Sequence, residues 1–191
     1  MRRDQLEHII RAAGIIADVK QLIVVGSQAI LAKYPRPANT ILTRSMEADV
    51  YPPEYPERAE AIEGALGRGS GFHSTFGYYA DGVGPETATL PSGWQDRLIE
   101  IKNENTNGVT GQCLEPHDLA ASKLAAGREK DTEFVEALIA CGYIELPILR
   151  KRLESLPVTA EMSVLIAGRV AYLETKHGRK VVRDNGLDFG M

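Results

Sequence analysis

The chain of 191 residues is long enough for one domain with a proper core, or for one core plus a small helical appendage. Its hydrophobic fraction of 43% and charged fraction of 25% are ordinary for a globular protein, and a formal net charge of −4 excludes an overall basic field that would recruit nucleic acid. No run approaches the ~20 apolar residues of a membrane-spanning helix, and Met1-Arg2-Arg3-Asp4 leads into polar residues rather than an apolar leader, so the cytoplasm is the expected compartment.

Asp4 followed by Glu7 resembles a capping box, and Leu6, Ile9, Ile10 and Ala13 fall at helical spacing, which predicts a first helix to about Asp18. Leu22 to Val25 is a short apolar run suited to a strand covered on both faces. Ser27 to Lys33 reads as the start of a helix, and Tyr34 to Asn39 as a loop broken by two prolines. A second strand is expected from Met46 to Tyr51, stopped by Pro52 and Pro53, and a helix from Pro56 to Leu66. Phe72 to Ala80, Glu86 to Leu90 and Arg97 to Lys102 have strand character, and Thr110 to Leu114 adds a further edge strand. From Pro116 the texture turns helical: Pro116 to Ala126, a helix closing on Gly142, Pro147 to Leu156 and Thr159 to Glu174. These readings divide the chain into a mixed α/β core over 1–115, a helical part packed on it over 116–174, and a loosely held tail over 175–191.

Three segments could carry chemistry. In Val24-Val25-Gly26-Ser27-Gln28-Ala29 a strand ends in Gly-Ser and turns into a helix, where backbone amides and the serine hydroxyl can hold a phosphate oxygen. In Arg44-Ser45-Met46-Glu47-Ala48-Asp49 the strand alternation aims Glu47 and Asp49 to one side while Ala48 faces the core. Paired carboxylates suit a hard divalent cation such as Mg²⁺, although alone they also fit the solvated face of an edge strand. In the stretch from Glu115 to Asp131, Lys123 and Arg128 could both reach an anion, with Asp131 orienting Arg128. His117 reads as polar surface or a local hydrogen-bond partner, His73 as a strand residue without chemistry, and Trp94 as packing. One of Tyr78 and Tyr79 is expected to face the core. Cys113 and Cys141, with no ligand spacing, read as reduced small hydrophobes.

Taken together, the three segments resemble the nucleotidyltransferase superfamily, in which Gly-Ser on a strand–helix turn precedes an acidic-x-acidic strand. More narrowly, the chain looks like the branch of abortive-infection (AbiEii-type) toxins of bacterial toxin–antitoxin systems and their relatives. The closest match is the stretch from Pro116-His117-Asp118-Leu119 to Lys130-Asp131, and the likeness spans roughly residues 20 to 140. The resemblance implies an α/β (α+β) fold, a mixed sheet flanked by helices with a C-terminal helical part. It implies Mg²⁺ held by Glu47 and Asp49, and an NTP held by Gly26, Ser27, Lys123, Arg128 and Asp131. A nucleotidyl group would pass to a protein or RNA acceptor, with a cognate antitoxin or toxin as partner. The alternative is a degenerate fold acting as a partner-binding module or antitoxin. Glu47 stands where Asp is commoner. A third carboxylate is expected on a later strand, with Glu100 as the candidate and Asp96 and Asp81 as competitors.

Overall fold

The computed structural model describes residues 1–184, with side chains as far as His177. Helix α1 (Arg3–Ile16) buries Leu6, Ile9, Ile10 and Ala13. The Asp4–Glu7 capping box does not form. Gln5 accepts the Arg2 amide, Asp4 pairs with the Arg2 side chain, and Glu7 turns inward to accept from Arg3, Asn103 and Asn105.

Strands β1 (Gln21–Val24), β2 (Glu47–Tyr51), β3 (Tyr79–Gly82), β4 (Ile99–Ile101) and β5 (Thr110–Cys113) form one mixed sheet in the order β3-β2-β1-β5-β4. β1 runs antiparallel to β2 and parallel to β5, β2 is parallel to β3, and β4 is antiparallel to β5. The segment expected as an edge strand, β5, therefore lies inside the sheet, where Cys113 and Gly111 are buried. Helix α1 packs against β1, β3 and β5, and α2 (Ala59–Leu66) against β3. Ala48 and Val50 are fully buried, while Glu47 and Asp49 are half-buried.

Of the predicted strands, Phe72 to Ala80 survives only at Tyr79 and Ala80, the start of β3, and Glu86 to Leu90 is absent. Gly71–Phe76 is a short helix, α3, because Ser70 accepts the His73 amide and so caps it, and Gly77 ends it at φ 74°. Pro85–Thr87 forms a 3₁₀ turn, and no strand pairs with Glu86 to Leu90; β-forming side chains make no strand without a partner. Ser27–Ala32 is likewise a six-residue 3₁₀ turn rather than the start of an α-helix.

Helices α4 (Pro116–Ala126), α5 (Glu129–Ala140), α6 (Leu146–Glu154) and α7 (Ala160–Asp184) complete the fold. Pro116 opens α4 at its first position, and Gly127 closes it in the left-handed region at φ 66°. Helix α7 continues beyond Glu174, where a tail was expected to begin; residues 185–191 lie outside the described residues. A single apolar cluster runs from Leu6, Leu22 and Val24 through Leu119 and Leu124 to Phe134, Leu138 and Leu173, so the strands and the C-terminal helices share one core. On α4 the fully buried Asp118 meets Arg97, from the turn before β4, at 2.8 Å and Arg152 of α6 at 3.0 Å. Among the described residues no helix is long and apolar enough to cross a membrane, and Cys113 and Cys141 are free thiols.

Candidate functional site

A cleft of about 360 Å³ opens where the end of β1 lies beside the start of β2, against the start of α5. Gly26 and Ser27 enter it from the turn after β1, Glu47 and Asp49 from β2, and Lys123, Arg128 and Asp131 from α4 and α5. The three sequence segments thus converge on one cavity.

Glu47 and Asp49 project to the same side because they alternate with the buried Ala48 and Val50. The parallel register pairs Asp49 with Asp81 and Glu47 with Tyr79. Ligand oxygens of Glu47, Asp49 and Asp81 consequently lie within 4.8 Å of one another. Asp81 is the carboxylate that joins the pair. Glu100, the expected third acid, is exposed on β4 at the opposite edge of the sheet, opposite Gln112, and Asp96 is exposed in a 3₁₀ turn. The alternation around Glu100 is genuine, but it points into solvent three strands away from β2.

The electrostatics of this cluster are those of crowded acids. Burial, then the Glu47 charge and hydrogen bond and the Asp81 charge, push the Asp49 carboxyl up to about 7 against the pull of Lys123. Burial and the charges of Glu47 and Glu63 push Asp81 up to about 6. A cation placed among the three would relieve this repulsion, and an all-oxygen donor set fits a hard divalent ion. Gly26 lies against the Asp49 carboxylate so closely that a Cβ there would overlap Oδ2. At position 26, then, glycine is what lets the phosphate-type turn and the acidic strand meet.

On the facing wall, Lys123 is buried and its Nζ lies 3.0 Å from Asp131 Oδ1 and 4.9 Å from the Phe134 ring centroid. Burial lowers the Lys123 ammonium although Asp131 opposes it. Arg128 grips the same Asp131 through Nε and Nη2, as expected, but remains largely exposed at the cleft mouth. Asp131, 1% exposed, therefore holds both cations, a sharing that the spacing of the three residues did not reveal. Arg44 reaches Glu133 at 3.3 Å across the rim, and Ser45 accepts the Glu47 amide.

Several residues lie otherwise than expected. His117 takes the hydrogen-bonding one of its two expected roles, but buried: its Nδ1 meets Glu115 at 2.9 Å and its Nε2 accepts the Glu145 amide at 2.9 Å, joining α4 to α6. His73 sits on α3, its Nδ1 accepting the Gly69 amide. Tyr78 and Tyr79 are both buried, and Tyr79 touches the acidic cluster through Glu47. Trp94 packs against the core, as expected.

The family described as "Nucleotidyltransferase of unknown function (DUF6036)" matches residues 4–175, which takes in every residue of the cleft. No curated protein and no solved structure matches the chain. The acids, the Gly-Ser turn and the helical cations all fall within the matched span, and the chain belongs to this family of nucleotidyltransferases.

Proposed function

We propose that the protein is a Mg²⁺-dependent nucleotidyltransferase that moves a nucleotidyl group from an NTP to a hydroxyl of a protein or RNA acceptor. The observation that carries this reading is the convergence of Glu47, Asp49 and Asp81 beside the Gly26-Ser27 turn, in a cleft lined by Lys123. Glu47 and Asp49 would hold the metal, which when bound supplies positive charge and a template for the triphosphate oxygens. Gly26 and Ser27 cradle the β and γ phosphates. Asp81, the third carboxylate of the cluster, would be the base that takes the acceptor's hydroxyl proton. The acceptor oxygen then bonds to the α-phosphorus, and the bond from that phosphorus to the bridging oxygen of the β-phosphate breaks. The electron pair leaves with pyrophosphate, whose charge Lys123 and Arg128 offset in a partly dry cleft. Asp131 keeps these cations in place.

The likeness to the abortive-infection branch supports a cytoplasmic toxin–antitoxin setting for this chemistry. The test is incubation with each labelled NTP, Mg²⁺, and total RNA or cell lysate. Metal-dependent label transfer that disappears in Asp49→Asn is the expected result. Loss of both transfer and NTP binding in the unaltered protein would overturn the reading in favour of a degenerate, partner-binding module.

A further inference from the structure

Glu47 is one methylene longer than aspartate, so its carboxylate has an additional torsion to fix before it can serve a metal. The structure supplies the fixing group from the neighbouring strand. Glu47 and Tyr79 are register partners on β2 and β3, and the Tyr79 hydroxyl donates to Glu47 Oε2 at 2.7 Å. The direction of that proton is not free. A phenol oxygen has one proton to donate, and a guanidinium has donors and no acceptor. Arg68 donates to the Tyr79 oxygen from Nη2 at 2.7 Å and Nε at 3.2 Å and cannot take its proton. The proton therefore points to Glu47 Oε2, which accepts it. Tyr79 is 5% exposed and its ring lies 4.7 Å from that of His73, so the hydroxyl has little room to swing away. Arg68 itself comes from the glycine-rich turn between α2 and α3, outside the three segments that converge on the cleft.

We propose that Tyr79, with its proton aimed by Arg68, is a positioning residue for Glu47, locking the carboxylate in the orientation in which it meets a divalent cation shared with Asp49. The proposal rests on the metal-site reading above. Such hydrogen bonds from beyond the ligand shell orient ligands, and their removal weakens metal affinity by about 10–100-fold.

Calorimetric titration of Mn²⁺ into the full, nucleotide-free chain separates the possibilities, with a thermal melt in chelator as the control for folding. Tyr79→Phe should weaken Mn²⁺ binding about 10-fold, and Arg68→Ala should weaken it in the same direction. Neither should shift the chelator melt by more than a few degrees. In a Glu47→Asp background the shortened carboxylate no longer reaches the phenol, so Tyr79→Phe should then have no further effect. Unchanged affinity in both Tyr79→Phe and Arg68→Ala overturns the positioning role while leaving the metal site standing. An equal loss from Tyr79→Phe in both backgrounds also overturns it, because that is the signature of packing alone. Failure of the unaltered chain to bind Mn²⁺ overturns the metal site itself, and the positioning role with it.

Discussion

The Asp49 carboxylate rests on the α-carbon of Gly26, with no room for a side chain between them. Gly26→Ala should therefore drive the new methyl into the carboxylate, at about 1–3 kcal/mol for an overpacked contact. Chemical denaturation of Gly26→Ala alone and combined with Asp49→Ala checks this. The penalty should largely vanish in the double variant, because the clash lies between these two positions.

Asp49 and Asp81 make stability depend on pH in a definite direction. Their carboxyls, pushed up to about 7 and about 6, bind a proton more tightly in the folded chain than at their ordinary value of 3.8. That contribution is fully present below about 3.8 and is lost as pH rises through about 6 and then about 7. Thermal melts of the metal-free protein against Asp49→Asn should show a gap that widens in favour of the variant as pH rises across this window. Excess Mg²⁺ should close the gap above about pH 7, where the acids are ionised, and do little below it.

Asp81 and Glu100 are distinguished by activity. Asp81→Asn should lower label transfer by about 10²–10⁴-fold, the range for loss of a general base. Glu100→Gln, altering an exposed group at the far edge of the sheet, should leave transfer unchanged. Initial rates at saturating NTP give the comparison.

Asp131 keeps Lys123 charged against the burial that lowers it. In Asp131→Asn the ammonium loses its nearest carboxylate, and its pKa should fall further. A lower pKa means that the positive charge disappears at a lower pH. NTP affinity measured against pH should then begin to drop at a lower pH in Asp131→Asn than in the unaltered chain.

Asp118 is a prediction about stability rather than chemistry. Its fully buried carboxylate answers both Arg97 and Arg152. Asp118→Ala leaves two partly buried guanidinium groups without their partner and should cost about 3–5 kcal/mol in urea denaturation.

Much of this site was legible because its signals are local. Glu47 and Asp49 share a side by strand alternation alone, and Gly26-Ser27 follows a short apolar run suited to a covered strand. Helix α4 was readable to the residue, since Pro116 opens it and Gly127 closes it. Asp81 could not be chosen from sequence, because its place beside Asp49 depends on the register between β2 and β3, a pairing across thirty-odd residues. Glu100 had the better local pattern, with apolar neighbours on both sides, and lost by strand order. The strand misread over residues 72–76 came from weighting aromatic and β-branched side chains above the Ser70 cap. Arg68 gave no signal at all, standing in a glycine-rich turn and donating to a phenol on the next strand.

Walls rooted in the same apolar cluster do not swing apart as independent bodies. A triphosphate must then enter and pyrophosphate depart through the existing mouth, past Arg128 and the Arg44–Glu133 bridge, with side chains rather than domains as the moving parts. The same rooting forbids dissection: cutting the chain before α4 would strip Leu119 and Leu124 from beneath the strands and take both cations with them, so the cleft exists only in the undivided protein.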